Sequence, residues 1–226
     1  MSTPFRVLFI GGTGQVGAAA VRALAAEPSC VEVVMINRKP LAELAALKVR
    51  QVILDTGSAE FETQVFELSK ALVAQGERVC GASCVGVGAG SNKWTEEELK
   101  ALELGVVGAF ARGCRAAGIN QFALLSAVGS NSKSSFKYIR VMGLKEEMAR
   151  SIGFNRLALF QPGIIGGNVH TPRVVDWLGR MIPGKFGTID QTEMGRAFVA
   201  EFKNHAEKNG VEGFENGGMR ALSRQL

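Results

Sequence analysis

A chain of 226 residues that is 46% hydrophobic and 21% charged has ordinary globular usage, which argues against a disordered or fibrous polypeptide and suits one domain with a real core. The net charge of +5 is carried by scattered Lys and Arg without a basic and aromatic stripe, so nucleic acid is not an expected partner, and no apolar run is long enough to span a membrane. The apolar run in the N-terminal MSTPFRVLFIGG is too short for a secretion signal, Cys30, Cys80, Cys84 and Cys114 lack metal-ligand spacing and read as buried reduced thiols of a cytoplasmic protein, and His170 and His205 offer no zinc site.

Strand-like runs then alternate with helical periodicity. FRVLFI (5–10) is followed by a helix over 15–26, VEVVMI (31–36), a short helical piece over 41–47 and VRQVIL (49–54). The alternation continues with a helix over 60–75, RVCGASCV (78–85), a long helix over 95–117 and QFALLS (121–126). A polar stretch, GSNSKSS (129–135), leads to a helix over 136–151, the strand FNRLALF (154–160) and the bend QPGIIGG (161–167). Helices over 172–181 and 192–208 and a last short strand over 211–215 complete the pattern. The strands carry few charges, as strands covered on both faces should. The expected fold is α/β, a Rossmann-type doubly wound, mostly parallel sheet with helices on both faces. It forms a single domain, 1–226, in which 161–226 is expected to make a small cap on the substrate side.

GGTGQVG lies directly between the first strand and an alanine-rich helix, and this context lifts the spacing above a bare pattern match. Gly11 or Gly12 permits the tight turn, Gly14 lets the backbone approach a pyrophosphate, and Gly17 lets the helix pack on the sheet, with Thr13, Gln15 and Val16 completing the loop. The helix start faces the phosphates with unpaired N–H groups. The second strand ends at Asn37-Arg38-Lys39, where a site for NAD usually has an acidic residue. Arg38 can fork onto a 2′-phosphate instead, so NADP is the expected cofactor, favoured over NAD by about ten to a hundredfold. Asp55 has two readings, a neighbour of the adenine or a cap on its own turn. Ser83 to Gly88, including Ser83 and Gly86, is expected to run along the cofactor at the switch point of the sheet.

GGTGQVG, NRK, LLSAVGSNSKSSFKY, FQPGIIGG and, more weakly, VEGFENGG (211–218) together resemble the short-chain dehydrogenase/reductase superfamily, and within it the atypical branch that includes the Tat-interacting-protein oxidoreductases. The resemblance implies that Ser126 bonds a substrate carbonyl, that Tyr138 protonates the developing alkoxide, and that Pro162 lies near the nicotinamide amide. It also implies a lysine four residues after the tyrosine, where this chain has Met142. A lysine about 4 Å away at an effective dielectric near 20 would favour the phenolate by roughly 4 kcal/mol, about three pKa units. Lys145, seven residues after Tyr138 and roughly 10 Å from it along the helix axis, has two readings, a marginal substitute that reaches back to the tyrosine or, as the better reading, an exposed lysine beside Glu146 and Glu147. Ala127 replaces a second serine often seen in the branch, and Gln161 an arginine. Trp94 either lines a substrate cleft or, as the better reading, anchors its loop in the core.

Two functions follow. One is an NADP-dependent oxidoreductase acting on a small-molecule carbonyl substrate. The other is a non-catalytic NADP-binding protein whose occupancy holds a surface for a protein partner. An epimerase or dehydratase is a weaker third reading, because the sequence lacks a second acid and a nucleotide-sugar motif.

Overall fold

The computed structural model describes residues 3–42, 48–166 and 187–226. Seven strands form one sheet: β1 (Phe5–Ile10), β2 (Cys30–Asn37), β3 (Val49–Ile53), β4 (Arg78–Ser83), β5 (Gln121–Leu125), β6 (Arg156–Phe160) and β9 (Gly210–Phe214). Their order is β3-β2-β1-β4-β5-β6-β9, with every neighbouring pair parallel. The sheet therefore reverses direction of growth between β1 and β4, which opens a crevice at the carboxyl ends of those strands.

Both faces of the sheet are apolar because the side-chain period of a strand is two. Along β1, Phe5, Val7 and Phe9 enter one core while Leu8 and Ile10 enter the other. The first core is covered by α1 (Gln15–Ala26) and α6 (Gln191–Asn204). These helices touch at Gly195, where a Cβ would stand 2.8 Å from the Ala19 carbonyl oxygen. Phe198 of α6 packs on Phe9 and Phe160, with ring centroids 6.3 and 4.4 Å away. Burying such a side chain stabilises the fold by roughly 1.5–3 kcal/mol.

The second core is covered by α2 (Phe61–Val73), α4 (Val107–Ala116) and α5 (Lys137–Ser151). Gly113 of α4 lies so close to α2 that a Cβ would meet Val65 at 2.9 Å. The helix expected over 95–117 is present but not uniform: α3 (Glu96–Lys100) runs into a π-helical turn, Ala101–Val106, before α4. Such turns add one residue per turn and often mark functional sites.

Several boundaries differ from the sequence reading. β4 ends at Ser83, two residues early, because Cys84 and Val85 turn across the glycine loop. A 3₁₀ turn (Gly88–Lys93), a short parallel ladder of β7 (Ile164–Gly166) with β8 (Thr188–Asp190), and α7 (Asn216–Ser223) were not predicted. The stretch 161–226 divides: α6 covers a face of the main sheet and β9 extends its edge, so these parts are core elements, while β7 and β8 form a separate ladder. The helix expected over 172–181, His170 and residues 43–47 of the short helical piece lie outside the described residues.

At the amino-terminal ends of the strands a buried polar cluster joins α6 to the sheet. Arg156 donates to both oxygens of Glu201, at 2.8 and 2.9 Å, and to Glu212 at 2.8 Å. Gln121 donates to the Glu201 carbonyl at 3.0 Å, and His205 Nδ1 lies 2.7 Å from Glu201. The crevice is at the opposite end of the sheet.

Candidate active site

The glycine loop divides its tasks residue by residue. Gly11 has φ +85°, and a Cβ there would stand 2.5 Å from the backbone of Cys84 and Val85, so both conformation and space exclude a side chain. A Cβ at Gly12 would strike Met35, and one at Gly17 would stand 2.1 Å from the Gly11 oxygen. Gly14 differs: its φ is −75°, and a Cβ would meet only the Gly11 oxygen, at 3.6 Å. The fold does not require glycine at that position. Gly14 is also the N-cap of α1, with no side-chain cap and no acidic residue in the first turn. The free amides and the positive end of the helix dipole thus face the crevice.

The crevice is a cleft of about 730 Å³. It brings together loop residues 13–17, Gly86, Ser126 and Tyr138, so the predicted catalytic pair and the glycine loop share one cavity. Cys84 also borders it, and burial pushes its thiol up, opposed by the charge of Lys145. All four cysteines are buried and free, as the sequence reading expected. Among the described residues no acidic, His and Cys cluster could hold a metal ion.

Tyr138 opens α5. Burial, then the negative charge of Glu103, pushes its phenol up to about 12. Met142, one turn on, is buried on the cleft wall and supplies no charge. Lys145 corrects the sequence reading: it is 1% exposed, not a surface lysine. It follows Met142 by three positions on the buried face of α5, a phase marked also by Val141 and Ala149. Its ammonium donates to Val85 O at 3.0 Å, Leu125 O at 2.9 Å and Glu103 Oε2 at 2.7 Å. An ammonium has three hydrogens, and all three are used within the fold. None is left for Tyr138 or for a ligand.

Glu103, which sequence reasoning missed, sits in the π turn, fully buried, and lines the cleft. Its Oε1 has no hydrogen-bond partner. The extra residue of a π turn depends on tertiary packing, and no local pattern announced it.

Ser126 follows β5 and is also engaged. Its hydroxyl donates to Glu146 Oε1 at 2.6 Å, an oxygen that also accepts from Gln161 at 2.8 Å. Ser130 lies 3.0 Å from Ser126 and donates to Ala127 O at 2.6 Å. Donation from Ser126 to a carbonyl therefore requires it to leave Glu146.

The remaining predicted residues do not line the cleft. Asn37 is buried at the end of β2, donates to Gln51 at 2.9 Å and keeps Oδ1 unpartnered. Arg38 and Lys39 are exposed in the bend that follows. Asp55 is exposed and accepts from Gly57 N at 2.9 Å, the turn-capping alternative. Ser83 is buried and accepts weakly from Val85 N, at 3.4 Å. The Pro162 carbonyl accepts from Val128 N at 2.9 Å. Trp94 is 37% exposed, so it is not a core anchor, and it is not among the described residues that line the cleft.

No family model matches the chain. It is similar to the protein named "fmp52, mitochondrial" of Emericella nidulans, 27% identical over 185 residues that cover 81% of this chain and 76% of that one. It is similar also to protein HTATIP2 of Rattus norvegicus, 28% identical over 187 residues, covering 79% and 70%. Among solved structures, the oxidoreductase ylbE from Lactococcus lactis superposes with a TM-score of 0.66 at 15% identity, covering 98% of this chain and 96% of that one. MoeE5, solved in complex with UDP-glucose and NAD, gives 0.67 at 13%, covering 98% and 81%. At such identities these structures show the fold alone, that of the NAD-binding oxidoreductases and epimerases. The cytoplasmic placement expected from the sequence is overturned, because the fmp52 relatives are named as mitochondrial proteins. Among the described residues no helix is long and apolar enough to cross a membrane. Sequence similarity and fold agree: the chain is similar to the fmp52 and HTATIP2 proteins and has the fold of the NAD-binding oxidoreductases and epimerases.

Proposed function

We propose that the cleft binds a nicotinamide dinucleotide, NADP in preference to NAD, and that the chain reduces a small carbonyl compound with Tyr138 as the proton donor. The observation that carries this reading is Gly14. It is a glycine the fold can do without, placed where a diphosphate would meet the uncapped start of α1, in the same cavity as Tyr138. The loop amides would hold the diphosphate, and exposed Arg38 would meet a 2′-phosphate at the end of β2. A reduced nicotinamide held there would supply the hydride for the carbonyl carbon. Tyr138 gives its phenolic proton to the oxygen on which negative charge develops. Ser126 orients that oxygen once its hydroxyl turns from Glu146.

The state of Tyr138 sets a direction. With the phenol at about 12, only about one molecule in 10⁵ is phenolate at neutral pH, so the side chain is present as an acid and nearly absent as a base. Reduction is the favoured sense. The whole chain would act as one dinucleotide-binding unit, with Ile165 of β7 bringing the later stretch to the substrate side of the cleft. The names of the fmp52 relatives support a mitochondrial location, which fractionation of cells expressing the tagged chain would test.

Calorimetric titration with NADPH and NADH, followed by cofactor oxidation against a panel of small carbonyls and quinones, tests the reading. Turnover that is lost in Tyr138→Phe supports it; equal rates remove Tyr138 from the chemistry. A second reading, a non-catalytic cofactor-dependent partner of another protein, is favoured by Met142 and by the fully engaged Lys145. It predicts tight NADPH binding without turnover for any carbonyl.

A further inference from the structure

The floor of the cleft holds a carboxylate oxygen that the fold leaves without a partner. Glu103 is buried in the π turn, its Oε2 is taken by Lys145 at 2.7 Å, and its Oε1 is unsatisfied. A buried acceptor left unpaired costs about 1–3 kcal/mol, more when charged, so its persistence calls for a group that completes it. The way to that oxygen passes Gly86, which is exposed on the cleft: a Cβ there would stand 3.4 Å from Glu103 Oε1. A methyl group at Gly86 would lie in van der Waals contact with that oxygen on its cleft side. The missing partner must be a hydrogen-bond donor, because a carboxylate only accepts. The pair with Lys145 is neutral overall, so the acceptor adds no net charge against a diphosphate elsewhere in the cleft.

We propose that Glu103 is a cofactor-binding residue whose Oε1 accepts a hydrogen bond from a hydroxyl of the ribose that carries the nicotinamide. This rests on the dinucleotide reading above. Three placements support it. Glu103 adjoins Gly86, and its partner Lys145 bonds the Val85 carbonyl, at the point where strand order reverses between β1 and β4 and where an extended dinucleotide crosses such a sheet. Its charge is felt by Tyr138, so it lies toward the reacting end of the cleft rather than at the glycine loop. Met142 and Lys145 offer no donor or acceptor to that ribose, the first by its chemistry and the second because its hydrogens are spent.

Two matched fragments test the proposal: adenosine diphosphate, which ends at the diphosphate, and ADP-ribose, which adds the second ribose. Both are used in the 2′-hydroxyl or 2′-phosphate form, whichever the unaltered protein binds more tightly. The unaltered chain is expected to bind the ribose-bearing fragment about tenfold more tightly, the scale of a hydrogen bond to a charged group. Two variants should abolish that preference while still binding the shorter fragment. The double substitution Glu103→Leu with Lys145→Met removes both charges together, so neither is stranded. Gly86→Ala keeps the ion pair and covers the oxygen. Either variant that binds the shorter fragment normally and retains the preference overturns the role of Glu103. An unaltered chain that binds neither fragment overturns the dinucleotide reading itself, a result distinct from the first because it needs no variant.

Discussion

Met142→Lys restores the charge that the resemblance leads one to expect, and its effect on Tyr138 can be worked out in advance. An ammonium about 4 Å from the phenol at an effective dielectric near 20 favours the phenolate by roughly 4 kcal/mol, or about three pKa units. Two features of the cleft oppose it. The new ammonium would occupy a side-chain site that is only 2% exposed, so it loses hydration, and the Glu103 carboxylate competes for it. The expected outcome is a fall of about one to three pKa units from the unaltered value of about 12. A positive charge stabilises the phenolate, so the sign is downward. Tyr138 is the single tyrosine of the chain, and the near-ultraviolet absorbance of phenolate therefore reports this one group as pH is raised. Alcohol oxidation, which needs the phenolate, should gain activity at lower pH in the variant. If the unaltered protein titrates near the ordinary tyrosine value of about 10, or if the variant does not shift, the electrostatic account of the site is wrong.

Arg38→Asp should reduce the preference for NADP over NAD by about ten to a hundredfold, read by calorimetry with the two cofactors; an unchanged ratio rejects the 2′-phosphate assignment. Gly14→Ala should leave the thermal midpoint near that of the unaltered chain yet weaken cofactor binding, whereas Gly17→Ala should lower the midpoint, because its Cβ would stand 2.1 Å from the Gly11 oxygen. Burial pushes the carboxyl of Glu201 up, but hydrogen bonds and charge from Arg156 and His205 outweigh it, so it titrates below its ordinary value. Stability from this cluster is then fully present above the ordinary carboxylate range and is lost as pH falls below that range, through the lower value that the carboxyl has in the fold. Glu201→Gln, which leaves the buried Arg156 guanidinium with Glu212 as its charged partner, should cost about 1–3 kcal/mol in denaturant unfolding and flatten that acid dependence.

The sheet was legible because each early strand is apolar on both faces and each turn carries its own chemistry. Phe5 to Ile10 running into Gly11-Gly12 specifies a buried strand and a tight turn by local rules alone, and α1 begins where the loop predicts. What was missed depends on contacts distant in sequence. β7 and β8 are three residues each, and they pair across more than twenty intervening positions, so no local pattern announces them. Lys145 was misread because Glu146 and Glu147 beside it suggested a solvated face. Helical phase carried the opposite message, since Val141, Met142, Lys145 and Ala149 share the buried side of α5. The candidate pair Ser126 and Tyr138 was found from spacing, but the partners that engage Ser126 and raise Tyr138, Glu146 and Glu103, come from helix faces whose register the sequence did not reveal.

The π turn between α3 and α4 acts as a phase shifter. One surplus residue turns the preceding segment by about 100° relative to a continuous α-helix, so a single rod presents two unrelated sides. Beyond it, α4 presses Gly113 against α2; within it, Glu103 lines the cleft. Substitutions that retune one side need not disturb the other, whereas shortening the rod by one residue would swing the carboxylate out of reach of Lys145 while leaving the far half of the helix seated.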